Sequence, residues 1–111
     1  MVIMTVNELI NECGFEAIAL PDGEKQVKGG YIGDLLSWVM GRAEADCAWI
    51  TIMSNINIVA VASLADVGCI ILSEGVKVDE TIVKTANEKG VNIISSSLPS
   101  YETAALISKK I

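Results

Sequence analysis

Three short β-branched runs most constrain what this chain can become: residues 48–53 (AWITIM), 69–73 (CIILS) and 91–95 (VNIIS). Each is almost continuously apolar, and each is separated from the next by a stretch of helix length. Strands buried on both faces of a sheet read this way, and parallel neighbours need a crossover between them. The order from residue 48 onward is therefore β-α-β-α-β-α. It predicts an α/β fold, a three-layer α/β/α domain with a mainly parallel sheet of about five strands. Composition agrees: 51% of the 111 residues are hydrophobic but only 5% aromatic, so Val, Ile, Leu and Ala must fill the core.

Local signals place the remaining elements. Thr5 followed by Glu8 reads as a capping box, and Gly14 as a stop, predicting a helix over residues 6–13. Residues 15–20 read as a strand closed by the turn Pro21-Asp22-Gly23, and residues 26–28 as a short strand ahead of Gly29 and Gly30. An apolar run from Leu35 to Met40 is helical by spacing and ends near Gly41. Asp79 caps a helix stopped by Gly90, and Pro99 suits the first turn of a last one. Residues 55–64 (NINIVAVASL) have strand-like propensity. The crossover argument makes them a helix, held by burial on both faces. No linker, internal repeat or low-complexity tract interrupts the chain, which predicts a single domain over residues 1–111.

Charge and residue usage exclude several functions. The net charge of −6 and the lack of a basic cluster beyond Lys109-Lys110 argue against nucleic acid and against an anionic membrane surface. There is no histidine, which removes the commonest general base and metal ligand. Cys13, Cys47 and Cys69 form no CxxC pair and match no zinc spacing, so no metal is expected. Cys47 and Cys69 each open an apolar run and read as small core residues. Unpaired cysteines, a start (MVIMTVNELI) without a basic leader, and no apolar stretch long enough to span a bilayer predict a cytoplasmic protein.

The glycines of QVKGGYIGDLL, residues 26–36, fit neither G-x-G-x-x-G nor a Walker loop, since no Gly-Lys pair exists in the chain. Kinase or nucleotide-hydrolysing activity is therefore not expected. Gly29 and Gly30 read as a structural turn starting the next helix, with direct ligand contact as the alternative. The better candidates lie just past the strands, where a parallel sheet gathers its loops and helix N-termini present free N–H groups. Ser54, Asn55 and Asn57 follow the first run, Glu74 and Gly75 the second, and Ser96 the third. They offer hydroxyl, amide and carboxylate partners to a small anion or a nucleotide base. Capping their own helices is the competing role. Trp38 sits in a helix with few polar positions, which predicts a homodimer with Trp38 in its interface.

The runs KQVKGGYIGDLLSWVMG, ITIMSNINIVAVASLADVGCIILSEG and VNIISSSLPSYETAAL resemble the DRTGG domain family. The five name-giving residues fall on Gln26-Val27-Lys28-Gly29-Gly30, where the two glycines are kept. The resemblance implies a non-catalytic regulatory or dimerising module without cofactor. It also implies a fold like the N-terminal domain of HPr kinase/phosphorylase, which lacks that enzyme's P-loop; a serine-kinase role has no support in this sequence. The functional expectation is a dimeric regulatory module sensing a nucleotide or other small anion at the strand-end loops. The alternative is a purely structural domain that docks to a partner enzyme without ligand.

Overall fold

A computed structural model describes residues 3–111. Ten elements follow in order: α1 (Val6–Cys13), β1 (Glu16–Ala19), β2 (Gly30–Ile32), α2 (Leu36–Arg42), β3 (Ala48–Thr51), α3 (Asn57–Ala65), β4 (Cys69–Leu72), α4 (Glu80–Lys89), β5 (Ile93–Ser95) and α5 (Ser100–Ser108). The strands form one sheet in the order β1-β5-β4-β3-β2. β2, β3, β4 and β5 pair in parallel, and β1 adds to β5 antiparallel with a bulge between Ala17 and Ala19.

Alternation along the strands divides the core in two, because successive side chains face opposite sides of the sheet. Trp49, Ile70, Leu72 and Ile93 point to one side, where α2, α3 and α4 cover them with Val39, Ile58, Ala62, Ile82 and Ala86. Ala48, Ile50, Cys69, Ile71 and Ile94 point to the other, beneath Val6 and Leu9 of α1 and Ile107 of α5. The result is the expected three-layer α/β/α arrangement. Each fully buried aliphatic side chain contributes about 1.5–3 kcal/mol before the entropy of ordering it.

The helix ends form as their sequences dictate. Glu8 N–H donates to Thr5 Oγ1 at 3.2 Å while Thr5 N–H donates to Glu8 Oε1 at 2.9 Å. Gly14 and Gly90 close α1 and α4 in the left-handed region, at φ 70° and 73°. The Asp79 carboxylate accepts from Ile82 N–H at 3.1 Å. α3 is a helix despite Ile58, Val59 and Val61, whose branched side chains lose rotamer freedom there. Burial holds it, but on one face only: Leu64 is 73% exposed, against the two-faced burial expected from its composition.

Three further expectations are corrected. The short strand lies not at residues 26–28 but at Gly30–Ile32, and Gln26 makes only an isolated bridge to Thr5. Gly29 is the turn, at φ 67°, whereas Gly30 is inside the strand. Pro99 precedes the first turn of α5 as its N-cap.

Cys47 and Cys69 are core residues, 3% and 0% exposed. Burial pushes the Cys47 thiol from its ordinary 9.0 up to about 11 and raises Cys69 as well. Between pH 9.0 and about 11 the unfolded chain gives up the Cys47 proton that the folded chain keeps. This contribution is complete below pH 9.0 and is lost as pH rises through the folded value, at about 1.4 kcal/mol per pH unit and thiol. Urea denaturation at about pH 8 and about pH 10 should show this loss, and Cys47→Ala should flatten the slope. An unchanged slope in that variant would remove Cys47 as its source.

Candidate functional site

The loops after β3, β4 and β5 meet at the carboxyl edge of the sheet, and the fold shows what each candidate side chain does there. Glu74 and Gly75 both take left-handed backbone, at φ 60° and 68°, turning the chain sharply after β4. Glu74 N–H donates to Leu98 O at 2.8 Å, and Gly75 N–H to Ser96 O at 3.1 Å. This stitches the β4 loop to the β5 loop. The Glu74 carboxylate accepts from Ser100 N–H at 3.0 Å and so supplies the side-chain cap that Pro99 cannot give α5. Ser96 is buried; its hydroxyl meets Thr103 Oγ1 at 2.8 Å and accepts from Leu98 N–H at 3.2 Å.

The loop after β3 is more open. Asn55 Oδ1 accepts from Asn57 N–H at 2.9 Å, an Asx turn leading into α3. Ser54 and Asn57 are exposed. Asn57 also lines a cleft of about 330 Å³ between α3 and α4, with Val59, Ala60, Thr85 and Lys89. Thus Glu74, Gly75 and Ser96 are brought together by direct bonds. Ser54, Asn55 and Asn57 stand apart, with no hydrogen bond among the described residues joining the two groups.

One residue at this edge escaped sequence reasoning. The Asp34 carboxylate accepts from Thr51 Oγ1 at 2.7 Å and from Ile52 N–H at 3.0 Å, tying the end of β3 to the segment after β2. No local pattern announces the bond between Asp34 and a later strand. Ser73, which the sequence already places at this edge beside Glu74, is fully buried and meets Ser100 Oγ at 2.6 Å.

Gly29 and Gly30 lie at the opposite, amino end of β2. With Ile32, Ile50, Ala104 and Ile107 they line an apolar groove of about 310 Å³ between β2 and α5. A second, more polar cleft of about 310 Å³ on the other side of the strand adds Lys28 and Arg42. Arg42 also stacks on the Trp38 ring, 3.8 Å from its centroid, leaving that indole 52% exposed. Among the described residues no cluster of three metal-ligating side chains forms, and no helix is long and apolar enough to cross a membrane.

Similarity to known proteins agrees with this architecture. No curated protein matches the chain. Among solved structures it is similar to the CBS and DRTGG domains of the regulatory region of Clostridium perfringens pyrophosphatase, crystallised with the activator diadenosine tetraphosphate. The match has a TM-score of 0.76 at 15% sequence identity and takes in 93% of this chain but 45% of the other. At that identity the likeness is one of fold. Residues 25–110 match the DRTGG domain, and the chain belongs to the DRTGG domain family.

Proposed function

We propose that this chain is a non-catalytic, cytoplasmic regulatory module of one domain that works as a homodimer, with α2 contributing Trp38 to the interface. The observation that carries the reading is the apolar flank of α2 and its entry, where Leu35 is 56% and Trp38 52% exposed, three residues apart and so neighbours on the helix surface. Apolar side chains so close together on a small domain mark an interaction surface. Arg42 holds the indole in place, which lowers the entropy lost on docking. A regulatory role is in keeping with the family and with the regulatory region that shares its fold. Sedimentation velocity at high micromolar concentration should show a dimer, and Trp38→Ala should weaken it by about 2 kcal/mol, roughly 30-fold in Kd. A monomer throughout overturns this reading.

A second reading adds a nucleotide at the carboxyl edge. It is favoured by the exposed Ser54 and Asn57 beside the start of α3 and by the dinucleotide activator of the similar pyrophosphatase region. A carboxylate accepts hydrogen bonds and repels phosphate, so the base rather than the phosphate would meet Glu74. Titration with adenine nucleotides should then shift amides at residues 53–57, 74–75 and 95–98. If none moves, the structural reading stands instead, with docking to a partner enzyme and no ligand.

A further inference from the structure

The two edges of the sheet are built differently. β1 is guarded: it carries a bulge and exposed Glu16, and the turn Pro21-Asp22 follows it. Natural edges are blunted in these ways against pairing with another chain. β2 has none of them. Gly30, Tyr31 and Ile32 include no charge, proline or bulge, and Ile32 is 54% exposed. The ladder to β3 shows which groups are free. Ala48 N–H donates to Gly29 O at 3.0 Å and Gly33 N–H to Ile50 O at 3.2 Å, so residues 29, 31 and 33 face β3. Gly30 and Ile32 therefore turn their N–H and C=O groups away from the sheet.

Resting on the dimeric reading above, we propose that β2 is the seam of the homodimer: two copies pair their β2 strands antiparallel about a two-fold axis through Tyr31. That register sets Gly30 of each copy opposite Ile32 of the other. Both are outward-facing, so each such pair exchanges two N–H···O bonds, four in all, and the two sheets become one. The side chains fit the same register. Gly30 and Ile32 both line the apolar groove beside α5, and Ile32 of one copy covers the floor that Gly30 of the other leaves bare. Fit selects a second copy over an unrelated strand: Gly30 and Ile32 sit symmetrically about Tyr31, so the same two residues of each copy supply both the bare floor and its cover. A seam of three residues is short. The two-fold keeps both α2 helices on the Tyr31 face, one on each side of the axis, where Leu35 and Trp38 can widen it.

Amide exchange by NMR and sedimentation on the full chain test the seam. Gly30 and Ile32 amides should exchange fast when dilute and slow by on the order of tenfold or more as dimer forms, with β1 amides unchanged. Ile32→Lys, at an exposed position, should weaken dimerisation by on the order of a hundredfold. A dimer that survives Ile32→Lys with both amides unprotected places the interface elsewhere and overturns the seam; if Trp38→Ala still dissolves it, the dimeric reading holds. A monomer at every concentration overturns both. Protection by an added extended peptide, in a chain that stays monomeric, gives the edge to a foreign strand and overturns the seam as well.

Discussion

Trp49→Ala is expected to lower the free energy of unfolding by about 4 kcal/mol, the middle of the range for removing a buried aromatic. Trp49 is the largest of the fully buried side chains, 0% exposed in the centre of β3. It packs in the cluster of Val39, Ile58 and Leu72. Its indole N–H also donates to Gly33 O at 2.9 Å, so truncation leaves that carbonyl without its partner. Trp38 is the internal contrast. It is half exposed and held only by Arg42, so Trp38→Ala should change the stability of the single subunit by no more than about 0.5 kcal/mol. The chain has two tryptophans, so each variant keeps one fluorescent reporter. Urea unfolding of both at low concentration makes the comparison. Equal losses would mean that Trp49 is not the centre of the core.

Gly68→Ala is expected to destabilise by about 3 kcal/mol, the top of the usual range for overpacking. Gly68 opens β4 where three segments converge, and a Cβ there would lie 2.8 Å from both Asp46 O and Gln26 O. Those atoms are backbone and cannot rotate away. Asp46 O is also in use, accepting from Lys28 N–H at 2.9 Å, while Gly68 N–H is tied to Cys47 O at 2.8 Å. Around them Asp46 and Asp66 hold left-handed backbone at φ 67° and 56°, while Lys25 reaches their carboxylates at 3.3 and 3.0 Å. The junction has little room to relax. Gly41→Ala in α2 is the control, since its Cβ meets nothing within 4 Å and should stabilise the helix by about 0.5–1 kcal/mol. Thermal unfolding of the pair should move in opposite directions; equal shifts would show that the junction yields.

What could be read from sequence depended on how far apart the interacting residues lie. The capping box at Thr5 and Glu8, the Asp79 cap and the stops at Gly14 and Gly90 are local, and each formed at its expected place. The three buried strands were equally plain, because burial on both faces leaves no polar alternation to misread. α3 had to be inferred from topology against its own propensity, and topology won. β2 was misplaced because glycine is a poor strand former and Gly30 joins the sheet only through β3, which lies well beyond it in the chain. The carboxyl edge was legible as a location. The bond from Ser100 N–H to Glu74 spans 26 residues, and no local spacing encodes it.

The antiparallel partner of β5 has a consequence for how the chain is made. β1 comprises residues 16–19, yet its only neighbour in the sheet is β5 at residues 93–95. Asn92 fastens the same closure: it is 1% exposed and exchanges hydrogen bonds with the backbone of Asp22 at 2.8 and 3.0 Å. On the ribosome, β1 therefore emerges early and has no strand to pair with until β5 has cleared the exit tunnel. Its apolar residues Ile18 and Ala19, which pack into the core of the finished domain, lack their strand partner until residues 93–95 follow. A stall with residues up to 72 outside the tunnel and residues from 93 still within it or not yet made would leave β2, β3 and β4 available to pair and β1 stranded, the stage at which a chaperone has most to hold.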